Sequence, residues 1–252
     1  MNKIILLSLF SFSLAVNAFG IKDLNQKSIC GVDDRVFSYD KKIGRAQDSL
    51  DARGGCTITM IGKTCAISAG HCKDVLKFVE FNPKHPDANG EGGHAEPEDI
   101  YEIDQASIEA VYDYSEDWSV FKLKPHAKSG TLAGEVYGTY PVSFKKPKKG
   151  DTVIITGYGV DRNRPERYCT QQTHSGLITK VGTFSDDIKY KVDTEPGNSG
   201  SSVILESTGE IIAIHTNGGC SEYDGSSANS GTLIAKNKKL QAAITSCLNS
   251  DQ

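Results

Sequence analysis

The stretch Asp193-Thr194-Glu195-Pro196-Gly197-Asn198-Ser199-Gly200-Ser201-Ser202 places a serine in a tight turn, with Gly197 two residues before it and Gly200 directly after. Glycine accepts positive φ and lets another backbone approach closely. Such a turn exposes the Ser199 hydroxyl and aims the amide N–H groups of Gly197 and Ser199 at one point, where an oxyanion could sit. Alone, a Gly/Asn/Ser cluster is an ordinary turn. Its reading therefore depends on what the rest of the chain supplies.

Two other stretches supply it. Thr64-Cys65-Ala66-Ile67-Ser68-Ala69-Gly70-His71-Cys72 carries a histidine, and Asp117-Trp118-Ser119-Val120-Phe121-Lys122-Leu123 puts an acid at the head of an apolar run. A serine hydroxyl is a weak nucleophile near neutral pH and needs a base within hydrogen-bond reach. His71 can take that proton and return it to the leaving group, while Asp117 holds the other ring nitrogen. The order His, Asp, Ser and the motifs S-A-G-H-C, D-W-S-V-F-K-L and G-N-S-G-S together resemble the trypsin-like serine proteases. The resemblance runs from about Cys30 to about Cys247.

Composition and patterning fit an exported protease. Lys3 and the apolar run Ile4–Val16, ending at Val16-Asn17-Ala18, read as a secretory signal peptide over residues 1–18. Residues 19–27 read as a short pro-segment or a loose terminus. Lys3 is the only charge removed with the signal, so 27 of the 28 basic side chains face 32 acidic ones, a net of −5. That balance argues against nucleic acid or an anionic membrane as the main partner, and no other apolar run is long enough for an anchor. The expected partners are protein or peptide substrates of a monomeric enzyme in an extracellular or periplasmic setting. Neither a cofactor nor a metal is called for. His85 and His94 lack ligand spacing and read as surface residues, and the eleven acids from Asp87 to Asp117 show no calcium-loop pattern.

Short β-branched segments recur between turn residues, among them Cys56–Ile61, Cys65–Ser68, Trp118–Leu123, Thr152–Thr156 and Glu210–His215. They indicate an all-β chain, and only Ala235–Cys247 carries helical spacing. The resemblance implies two six-stranded antiparallel β-barrels, over 28–130 and 131–252, with the crossover near 124–145 and a C-terminal helix. His71 and Asp117 would come from the first barrel, Ser199 from the second.

Seven cysteines in an exported chain suggest disulfides with one thiol left over. A Cys56–Cys72 bridge would pin the histidine loop and matches the family's histidine-loop disulfide. Cys30–Cys169 is the further pairing that the resemblance to trypsin implies. Cys65 reads as a buried free thiol, and the sequence is silent on Cys220 and Cys247.

Asn198 stands where trypsin-like zymogens carry the aspartate that captures a new amino terminus, so that activation switch is not expected here. G-N-S-G-S with Ala213-Ile214-His215-Thr216-Asn217-Gly218 is similar instead to bacterial glutamyl endopeptidases. In that family residues matching Thr194 and His215 bind the carboxylate of the residue before the scissile bond, and Ser28–Arg35 lines up with the free N-terminus. Asp193 leaves a second reading open, cleavage after Arg or Lys as in trypsin. A protease-fold binding protein without activity is the alternative outside enzymology.

Overall fold

The computed structural model describes residues 28–52, 54–89, 93–113, 116–161, 164–220 and 227–251. The expected signal peptide, and the residues read as a pro-segment or loose terminus, fall on residues 1–27, outside that set.

The chain enters along a short strand, β1 (Val36–Phe37), then builds one sheet from β2 (Ile43–Gln47), β3 (Cys56–Met60), β4 (Cys65–Ser68), β5 (Phe78–Glu80), β6 (Ile100–Glu102), β7 (Glu109–Tyr112) and β8 (Asp117–Lys122). Their order in space is β6-β5-β2-β3-β4-β8-β7, all antiparallel. A bridge between Ile103 and Leu123 draws the two ends toward closure. A crossing segment with the short helix α1 (Ala133–Tyr137) leads to β9 (Thr152–Gly157), β10 (Gln172–Val181), β11 (Asp187–Tyr190), β12 (Ser202–Leu205), β13 (Glu210–Asn217) and β14 (Asn229–Leu233). These six close into a barrel because β9 pairs with both β12 and β10. The expected pair of antiparallel barrels is therefore present, each with a flanking seventh strand: β7 on the first and β1 on the second.

The first and last described elements both cross between the barrels. Strand β1 pairs with β10 of the second barrel. The C-terminal helix α2 (Lys238–Asn249) buries Leu240, Ala243, Ile244 and Cys247 in the hydrophobic core of the first. Its start is fixed by Asn237, whose side chain accepts from Leu240 N–H at 2.9 Å, an ordinary N-cap. The second barrel has its own core around Val153, Ile155, Ile188, Val203 and Leu233.

Three disulfides close the structure: Cys56–Cys72, Cys30–Cys220 and Cys65–Cys247. The first is the expected histidine-loop bridge. The other two correct the sequence reading. Cys30 pairs with Cys220 and not with Cys169, because the entering segment runs beside the turn after β13, where Cys220 N–H donates to the Asn229 side chain. Asn229 in turn donates to Ser28 O at 2.7 Å. Cys65 is not free but ties β4 to α2. The cysteine outside the three disulfides is the buried Cys169, in a left-handed turn (φ 52°) whose carbonyl accepts from Arg45. His94 also departs from a plain surface role, lying 2.9 Å from Glu80, whose carboxylate is fully buried beside Arg45.

Candidate active site

Strands β4 and β8 pair with Ser68 opposite Ser119, so the 3₁₀ turn Gly70–Val75 at the end of β4 lies beside the start of β8. His71 is in that turn and Asp117 opens the strand. The Asp117 Oδ2 atom lies 2.7 Å from His71 Nδ1, while Oδ1 accepts the Gly70 and His71 backbone N–H groups at 2.6 and 3.0 Å. With Nδ1–H donating to the carboxylate, Nε2 is left as the proton acceptor. The His71 side chain remains 27% exposed and Asp117 is buried, so the base faces outward from a fixed acid.

Ser199 approaches from the second barrel, in the turn before β12. Its carbonyl accepts from Thr57 N–H on β3 at 2.8 Å and lies 3.8 Å from Cys72 Sγ, next to His71 in sequence. A side chain at Gly200 would collide with Ser68 Oγ and Thr57 O, which shows how closely the turn is pressed onto the first barrel. The three candidate residues therefore converge at the barrel junction.

The hydrogen bonds of the turn leave two of its N–H groups over. Gly197 sits at φ 104°, and its carbonyl accepts from Thr57 Oγ1 at 2.9 Å. Asn198 N–H is spent on Glu195 O, and Gly200 N–H on His215 O. Among the described residues, the N–H groups of Gly197 and Ser199 donate to no protein acceptor. These are the two donors an oxyanion would use.

His215 lies beside the Ser199 turn, because its N–H donates to Ser201 O at 2.8 Å. The side chain is buried and its Nδ1 lies 2.7 Å from the Tyr190 hydroxyl, which is also 3.0 Å from Ser230 O. Burial drives the His215 pKa down to about 3, the nearby His71 adding to the effect, so the ring is neutral near pH 7. Thr194 Oγ1 lies 3.1 Å from Asn229 Nδ2, and its hydroxyl hydrogen has no protein acceptor among the described residues. The same Asn229 amide donates to Ser28 O and Val192 O, tying the entering segment to the pocket.

Asp193 behaves differently. Its carboxylate is 1% exposed, with Oδ1 accepting Cys30 N–H at 2.6 Å and Oδ2 accepting Asp34 N–H at 3.4 Å. His174, 2.9 Å from Asp34, completes this fastening. The Asp193 oxygens thus hold the entering segment.

Alongside, a cleft of about 990 Å³ runs from Tyr112 and Asp117 past the exposed Phe184 to Asn217 and Ser230. The Tyr112 ring stands 5.6 Å from that of His71. The sequence reading missed Tyr190 and Asn229. Both are polar residues at the facing ends of β11 and β14, but nothing local marks either as a pocket group.

Residues 36–230 match the Trypsin family. The chain belongs to the trypsin family. It is a chymotrypsin-like serine protease in sequence and fold, similar to glutamyl endopeptidases. It is 29% identical over 228 residues to the glutamyl endopeptidase of Bacillus licheniformis, covering 83% of this chain and 66% of that one. It is 27% identical over 208 residues to exfoliative toxin A of Staphylococcus aureus, covering 80% and 69%. The chain thus spans about two thirds of the length of these relatives. A solved Glu endopeptidase, in complex with MPD, shares the fold with a TM-score of 0.66 at 19% identity, covering 88% of this chain and 99% of that one.

Proposed function

We propose that this trypsin-family chain is an exported serine endopeptidase that cuts after Glu or Asp. Ser199 attacks the scissile carbonyl as His71 Nε2 takes its proton, Asp117 stabilises the imidazolium, and the Gly197 and Ser199 N–H groups receive the oxyanion. The imidazolium then protonates the leaving amine, and water repeats the sequence to release the acyl group.

The observation that carries the acidic preference is the engagement of Asp193. With that carboxylate spent on Cys30 and Asp34 backbone N–H groups, Asp193 is not held out to draw Arg or Lys. The polar groups that flank Ser199 are then Thr194 and His215. When the Tyr190 hydroxyl hydrogen turns to His215 Nδ1, the ring proton sits on Nε2 and donates to a substrate carboxylate, joined by the Thr194 hydroxyl. The likeness to glutamyl endopeptidases points the same way.

The test is a kinetic comparison on Glu, Gln and Arg peptides. Hydrogen bonds to a charged group contribute about 1.5–3 kcal/mol, so His215→Ala should lower kcat/KM for Glu by roughly 10- to 150-fold. Labelling of Ser199 by a fluorophosphonate should persist in that variant. Unchanged Glu cleavage in His215→Ala would remove His215 from the pocket.

A further inference from the structure

Arg35 sits on the entering segment behind the nucleophile turn, and it is 3% exposed. Its Nε and Nη2 atoms donate to the two carboxylate oxygens of Asp33, each at 2.9 Å, and Nη2 lies 3.5 Å from Asp161. Arg164 reaches both Asp33 and Asp161, and Arg167 donates to the Arg35 carbonyl. Among the described residues, this arrangement leaves Arg35 Nη1 buried without a partner. Burial pushes the guanidinium pKa down, and Glu195, Asp161 and Asp193 draw it back up.

A second orphan lies beside it. Asn198, the residue before Ser199, is 2% exposed, and its Oδ1 also has no partner among the described residues. Both atoms face the same spot over Gly159: a Cβ placed there would collide with Asn198 Oδ1 and come within 3.1 Å of Arg35 Nη1. Gly159 is flanked by residues that support the turn, since Val160 N–H donates to Pro196 O at 2.8 Å. A buried donor and a buried acceptor left without partners each destabilise the fold. Two such groups at one spot, of opposite kind, answer each other.

We propose that Arg35 Nη1 and Asn198 Oδ1 are partners in the working enzyme, directly or through one water, and that Arg35 is thereby a positioning residue for the oxyanion turn. The inference rests on Ser199 being the nucleophile. Arg35 touches no substrate. It acts through Asn198, whose peptide bond to Ser199 carries one oxyanion donor and whose other peptide bond is made by Gly197, the residue that carries the second. It also makes the entering segment part of the catalytic framework, not only a strap over the second barrel.

The experiment is a double-mutant cycle read by the rate of fluorophosphonate labelling and by kcat and KM on a Glu peptide. Misplacement of reacting groups by about 1 Å costs on the order of 10²-fold, so Arg35→Met should lower the labelling rate and kcat by roughly 10- to 100-fold while KM stays within about twofold. Arg35→Lys, which keeps the charge, should recover part of that loss. Asn198→Asp offers Arg35 a carboxylate, so in that background Arg35→Met should cost at least tenfold more than it does with Asn198. Groups without shared contacts act independently. Equal costs of Arg35→Met in the two backgrounds, or a loss confined to KM, would overturn the proposal. If Arg35→Met does not fold, the same comparison of backgrounds is made with Arg35→Lys. Absence of labelling in the unmutated enzyme would instead refute Ser199 as nucleophile, an outcome distinct from both.

Discussion

His215 should make the fold acid-sensitive by an amount the structure sets. The unfolded imidazole titrates at its ordinary value of 6.5, whereas burial holds the folded one at about 3. Between those two values the unfolded chain binds a proton that the folded chain refuses. The stability due to a neutral His215 is therefore fully present above pH 6.5 and is lost progressively as pH falls toward 3. Each pH unit in that window is worth about 1.4 kcal/mol. From pH 7 to pH 4 the loss should reach about 3 kcal/mol, a large part of the roughly 5–15 kcal/mol that holds a protein folded. The assay is urea unfolding at pH 7, 5.5 and 4, in a Ser199→Ala background that prevents self-digestion. His215→Gln cannot titrate, so the difference in stability between parent and variant should shift against the parent by about 3 kcal/mol over this range. Other titrating groups, such as Asp193 with its pKa raised by burial, are common to both proteins and cancel. Parallel profiles for the two proteins would refute the buried neutral imidazole.

Other outcomes follow from the same geometry. Ser199→Ala, His71→Ala and Asp117→Asn should each remove nearly all turnover, about 10⁴-fold or more, and double mutants should be little worse than singles because the three act as a unit. Full activity in Ser199→Ala peptide assays would end that reading. Cys65→Ser with Cys247→Ser opens a link spanning 182 residues. The chain-entropy model puts it at about 5 kcal/mol, so chemical unfolding should move to distinctly lower denaturant, and an unmoved midpoint would contradict it. Asp193→Asn should loosen the entering segment and lower stability by about 1–3 kcal/mol, while the preference for Glu persists. Conversion to a different specificity would show that Asp193 belongs to the pocket.

The candidate site was legible where its chemistry is local. S-A-G-H-C, D-W-S-V-F-K-L and G-N-S-G-S each sit within a few residues of chain, and the barrel pairing of β4 with β8 brings the first two together. The all-β pattern was equally visible in the alternation of β-branched residues with turns. What stayed hidden depends on contacts distant in sequence. Cys30 meets Cys220 across 190 residues, and neither neighbourhood names the other. Helix α2 has a plain apolar stripe, yet its periodicity cannot tell that the stripe covers the first barrel. Asp193 is six residues before Ser199, a position that suggests a pocket, and only the backbone N–H groups of Cys30 and Asp34 reveal its other task. Tyr190 and Arg35 are ordinary residues in sequence, set apart only by what their buried polar atoms face.

The most direct measurement is cleavage-site profiling of the enzyme on a peptide library, with Ser199→Ala run alongside. The account predicts cuts after Glu and Asp by the parent enzyme and none by the variant. Cuts after Arg or Lys, or the same pattern from Ser199→Ala, would contradict it.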